Sequence, residues 1–200
     1  NTPTNGETVI CDAGTDTTGI QAWGSSDVTV PVTSTGAIDT TASGNDAISL
    51  LNGASVTIAN GGSVTAEETA IALGTDGFVD IAGSVSNIAD YSLMTLGERA
   101  EIIVRGTGVV ESEGTGIQLT KGSLDVEAGG RIEVSRGSAV YMSGSTETDT
   151  FVATIAGTVL AQGEAHGFNL GSEYATINLL SGGSIRAIST GSNPRYAIVA

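Results

Sequence analysis

Along this chain apolar and polar residues alternate in short runs, and the runs return. The plainest instance is DAISL at 46–50, which comes back as TAIAL at 69–73. With Ile48 as anchor, equivalent residues stand at Ile20, Ile71, Met94, Ile117, Val140, Phe168 and Ile198, at steps of 28, 23, 23, 23, 23, 28 and 30 residues. One place before the anchor the residue is small in seven cases of eight, Leu93 being the exception, and two places after it stands Ala22, Leu50, Leu73, Leu96, Leu119, Met142, Leu170 or Ala200. The residue between is mostly polar, as at Gln21, Ser49, Thr95, Gln118 and Asn169. Alternation with period two predicts a short strand with one buried face at each anchor.

Two more strands follow in each repeat. Pairs such as Val56/Ile58, Val79/Ile81, Ile102/Val104 and Leu124/Val126 mark the second, and Val64, Val85, Val110, Ile132/Val134, Val159 and Ile185 the third, with turns NGA, TDG, ANGG, EAGG and LSGG between them. Internal repetition at such a period signals stacked coils. The expected fold is all-β: a parallel β-helix (solenoid) of roughly seven coils, each of about 23–30 residues and three short strands. Residues 1–17 are expected to form an N-terminal cap strand, with Val9 to Cys11 lying across the first coil and Trp23 as a lid, and 18–200 the helix itself. RYAIVA stops two residues past its anchor Ile198, so the helix is expected to be truncated at its C-terminal end.

Composition narrows the class. The 29 glycines and 3 prolines, with aromatics at 4%, suit many tight turns around a narrow aliphatic core. The net charge of −15 is uneven: residues 1–98 hold 12 acidic groups and no Lys or Arg, and all seven basic residues lie from Arg99 to Arg195. Such a chain repels phosphate backbones, which excludes nucleic acid as a partner. Cys11 is the single cysteine, so no internal disulfide forms, and with no base near it in sequence it reads as a small hydrophobe rather than a reactive thiol. No apolar run approaches the length of a membrane-spanning helix, and Asn1 to Glu7 is polar, as expected where a leader has been removed.

The opening GETVICDAGTDTTGIQA, followed by coils such as DAISLLNGASVTIANGGSVTAEE and TGIQLTKGSLDVEAGGRIEVSRG, resembles the passenger domain of bacterial autotransporters (type V secretion). The resemblance covers nearly all of the chain and implies that the parallel β-helix is right-handed. It implies a secreted protein or one displayed at the bacterial outer-membrane surface, linked to the membrane through a C-terminal β-barrel absent here. It also implies adhesion, self-association or host interaction, as an adhesin or virulence factor. The partner would be a host-cell surface protein, a glycan or another copy of the chain, with no cofactor.

Catalysis is the rival expectation, because other parallel β-helices are polysaccharide lyases or hydrolases, here with an active face partly in missing coils. Pectin-cleaving members carry Asp clusters, a Gly-His-Gly segment and a basic pair on one face. The nearest echoes, Ala165-His166-Gly167 and Arg131-Ile132-Glu133, complete no such set. His166 falls in the polar column Thr18, Asp46, Thr69, Ser92, Thr115, Ser138, His166, Tyr196, which reads as a turn position where a strand begins. Counting 19 residues from each anchor gives Glu67, Asp90, Glu113 and Arg136, an acidic ridge whose three carboxylates are the weak candidates for a divalent cation and whose last two members would pair as an ion pair. Arg99, Arg105, Lys121, Arg131 and Arg136 are expected to neutralise the acids interleaved with them rather than dock a ligand. No P-loop, nucleophile elbow or metal-ligand spacing occurs, so no catalytic residue is assigned. Function is expected instead in the long coils at 18–45, 138–165 and 166–195, whose insertions include SGSTETDT and STGSNPR.

Overall fold

The computed structural model describes residues 2–22, 24–89, 94–144, 150–171, 174–189 and 195–199, with Thr95 described by its backbone alone. Those residues form strands and turns without a helix. The strands stack in parallel ladders as a β-solenoid of about seven coils.

The first row is the anchor row. Ile20 pairs with Ile48, Ile48 with Ile71, Ile71 with Met94, Met94 with Ile117, Ile117 with Val140, Val140 with Phe168 and Phe168 with Ile198. Every anchor from Ile20 to Phe168 is fully buried. Burying an aliphatic side chain of this size stabilises by about 1.5–3 kcal/mol, and stacking lets each coil cover the next. The second row runs through Thr29–Val32, Ser55–Ile58, Phe78–Ile81, Ala100–Val104, Gly122–Val126, Phe151–Ile155 and Ala175–Leu179, with Val30, Val56, Val79, Ile102, Leu124, Ala153 and Ile177 in one inward column. The third passes from Gly14–Asp16 and Gly36–Asp39 through Ser63–Ala66, Ser84–Asn87 and Val109–Ser112 to Ser184–Ser189.

Two features differ from expectation. Between Ser112 and Ser184 the third strand runs on into the first, giving Arg131–Ser143 and Thr158–Gly171 in place of separate short strands. The corner is made inside the ladder, by a register shift between Val134 and Arg136 and by Gly137 and Gly163 at φ 67° and 62°. At the N-terminus the cap does not cross the first coil. Thr8 pairs with Thr29, Cys11 with Val32, and Gly14–Asp16 with the third row, so residues 8–16 form a partial coil in register. Trp23, the expected lid, lies outside the described residues.

The corners carry ladders of their own. Between the first and second rows Asp27, Gly53, Asp76 and Arg99 stand above one another with φ of 59°, 69°, 58° and 56°. Their amides continue the stacking, Asp27 N donating to Asn52 O, Gly53 N to Thr75 O and Asp76 N to Glu98 O. Gly53 holds this left-handed turn without strain, whereas at the other three it costs about 1 kcal/mol or more. Between the second and third rows the register aligns Gly36, Gly62, Gly83, Gly108, Gly130, Gly157 and Gly183.

Candidate functional site

Inward positions of the third row fill the core, so its outward positions form a column: Asp39, Thr65, Ser86, Glu111, Glu133, Leu160 and Arg186. Where this row ends and the chain turns towards the first, a groove of about 450 Å³ runs along the rod. Equivalent places on four successive coils build it, through Ser86 and Ile88, then Glu111 and Glu113, then Glu133, then Gln162. Three coil spacings make it roughly 14 Å long. Ile88 is 53% exposed beside it. Glu111 and Glu133 are direct ladder partners, which sets two carboxylates one coil apart. Arg131 Nη2 lies 2.6 Å from Glu133 Oε2 and neutralises that member, whereas Glu111 and Glu113 have no ion-pair partner among the described residues.

The acidic ridge does not have the register expected of it. Ala66 pairs with Asn87 and Ser112 with Val134, so Glu67 stands level with Ile88, and Glu113 with Ser135. An apolar side chain therefore separates Glu67 from Glu113. Arg136 pairs in the ladder with Glu164 rather than standing level with Glu113. The cause is corner length: the third-row core residue follows its anchor by 16 residues at Val64, 14 at Val85, 16 at Val110 and 15 at Ile132, so a fixed offset drifts out of register. Asp90, the remaining metal candidate, lies outside the described residues, and among those described no three His, Cys, Asp or Glu converge as a metal site.

His166 is half-buried within Thr158–Gly171 rather than in an exposed turn. It keeps the column expected of it, with Ser138 as its ladder partner. Its ring stacks on Tyr196 with centroids 5.9 Å apart and an interplanar angle of 4°, and Nδ1 accepts from the Tyr196 amide at 3.3 Å. Burial and then the charge of Arg195 hold its pKa below the ordinary imidazole value, so it is neutral at pH 7. Burial, followed by the charges of Asp16 and Asp12, pushes the Cys11 thiol up and leaves little nucleophilic thiolate. A second depression, about 420 Å³, lies beside Gln21, Asp46 and Glu68. Burial raises the Asp46 carboxyl despite hydrogen bonds from Thr69.

Arg99, Arg105 and Lys121 answer acids on neighbouring coils. Arg99 grips Asp76 with Nε at 2.7 Å and Nη2 at 2.9 Å, and Lys121 lies 3.6 Å from Glu98. Arg105 is the strongest case: Nε and Nη2 each lie 2.8 Å from Asp80 and Nη1 2.8 Å from Glu127, so one guanidinium clamps three coils. The hydrogen bonds it donates to Asp80, then to Glu127, hold its pKa above the ordinary arginine value. Arg105→Ala is expected to cost roughly 1 kcal/mol, little because the group is partly solvated, and the cost should shrink in high salt. Urea denaturation of both proteins at low and high salt checks this; an equal loss at both would contradict it.

The chain was compared with family models, curated proteins and solved structures, and nothing matches it. Its class is therefore defined by architecture, a parallel β-solenoid with aliphatic columns inside and polar columns outside.

Proposed function

We propose that this solenoid is the passenger of a secreted or surface-displayed autotransporter and works by binding, in adhesion, self-association or contact with a host surface, without catalysis. The observation that carries this reading is the outward column from Asp39 to Arg186, which presents one side chain per coil on a hydrogen-bonded ladder. Such a surface is pre-organised, so little side-chain or backbone ordering opposes binding. The first long coil adds a corner at 40–46, held by Thr40 Oγ1 donating to Asn45 O at 2.7 Å and Ser43 Oγ to Thr40 O at 3.0 Å. The other long coils place SGSTETDT and STGSNPR partly outside the described residues.

The rival is a polysaccharide-active enzyme. The test assays the purified chain for attachment to cells, for self-aggregation and for release of sugar from polysaccharides. Attachment or aggregation without sugar release is the expected result. Glycan cleavage, abolished by His166→Ala or by removing a groove carboxylate, would overturn the binding reading.

A further inference from the structure

We propose that the groove beside Ser86, Glu111, Glu133 and Gln162 takes a neutral, polyhydroxylated glycan chain lying along the rod. The inference rests on the surface-binding reading above and names its site and ligand class.

The shape comes first. The groove is open and linear, and its walls repeat at the coil spacing over roughly 14 Å. A repeating, extended ligand matches such a trough better than a compact one. The lining comes next. Ser86 Oγ donates to Thr65 Oγ1 at 3.2 Å and so keeps acceptor capacity, Gln162 offers both donor and acceptor, and Glu111 and Glu113 are acceptors only. Together they provide more acceptors than donors, which suits a ligand rich in hydroxyl groups. Ile88 adds an apolar contact of the kind a sugar ring's C–H face can cover.

Charge opposes a polyanionic ligand, and topology opposes a peptide added as a strand. One of the three groove carboxylates is neutralised by Arg131, and the whole chain carries −15, so a uronic or sulfated polymer would meet repulsion. An extended peptide commonly docks by adding a strand to a free sheet edge. Here Ser84–Asn87, Val109–Ser112 and Arg131–Ser143 are each paired on both sides, so the groove floor offers no such edge.

The test is titration calorimetry of the chain with neutral gluco-, manno- and xylo-oligosaccharides of increasing length, and with uronate oligosaccharides, in buffer containing a chelator. Two variants make the same charge change. Glu111→Arg sets a long cation in the groove against Glu133 and Glu113, and Glu101→Arg places one on the exposed face of the second row. Both positions point to solvent, and unchanged thermal unfolding confirms that the variants are folded. A neutral series should bind, more tightly with length, and more tightly than any uronate. Glu111→Arg should weaken binding at least about tenfold, or roughly 1.4 kcal/mol, and Glu101→Arg should not. Equal binding by Glu111→Arg, uronates binding as tightly as neutral sugars, or a protein ligand competing for the groove would overturn the proposal. Attachment to cells with no neutral oligosaccharide bound would sink the glycan groove alone, whereas loss of both cell and glycan binding would also sink the surface-binding reading.

Discussion

Gly157→Ala is expected to destabilise the solenoid by about 3 kcal/mol or more, a larger loss than most single substitutions produce. A Cβ at this position would overlap the carbonyl oxygens of Gly130 and Glu127 and come within 2.8 Å of Val126 Cγ1. Neither carbonyl can yield cheaply. Gly130 O accepts from Thr158 N, and Glu127 O from Gly130 N, each at 2.9 Å, so retreat would break the corner's hydrogen bonds. Gly83 is placed in the same way, against the carbonyls of Gly62 and Ala59. Gly24, where an added methyl group would meet nothing within 4 Å, serves as the control and should tolerate Ala. Urea denaturation followed by circular dichroism measures the difference; a Gly157→Ala midpoint close to that of Gly24→Ala would refute the steric account.

Phe168→Ala is the second large effect. Phe168 is fully buried in the anchor column between Val140 and Ile198, where the other members are aliphatic. Removing its ring leaves a cavity that the hydrogen-bonded strand Thr158–Gly171 cannot collapse to fill, at a cost of about 3–5 kcal/mol. Because stability in a stacked array is a sum of neighbouring interfaces, the loss should be local before it is global. Hydrogen exchange should accelerate first in the ladders made by Arg131–Ser143 and Thr158–Gly171, while those joining Ile20–Ala22 to Ile48–Leu50 keep their protection. Uniform acceleration along the chain would show instead that the coils unfold as one unit.

The inward rows are legible in the sequence because burial writes a period-two signal that tolerates exchange among Ile, Val, Leu, Met and Phe. Ile71, Met94 and Ile117 share a column despite their different shapes, since each needs only to be apolar and to face in. The glycine column is hidden. Gly36, Gly62, Gly83, Gly108, Gly130, Gly157 and Gly183 recur at steps of 26, 21, 25, 22, 27 and 26 residues, which no single period describes, and glycine carries no hydropathy signal. Anchoring the third-row apolar residues first and then looking two residues before them, from Val64 to Gly62 or from Val85 to Gly83, brings it out.

The candidate site is less legible for the same reason. Counting from the first row misplaces Glu67 and Glu113, because it is the third row that positions them. Counted from Val85, Val110 and Ile132, the outward residues Ser86, Glu111 and Glu133 fall at once into one column. The groove itself needs a fact that the sequence does not carry, namely how far each corner stands from the neighbouring row. The neutralising role of Arg105 can be read from the acids interleaved with it, but its reach to Asp80 and Glu127 on opposite sides follows from stacking geometry.

The ladder also has a kinetic meaning. Each anchor residue finds its partner 23 to 30 positions along the chain, at Ile48 and Ile71 as at Phe168 and Ile198. The entropy of closing a loop depends on its length only logarithmically, so adding a coil costs nearly the same at every step. Assembly can therefore proceed as a zipper, each finished coil acting as the template for the one that follows, and a longer rod need not be a harder one to fold.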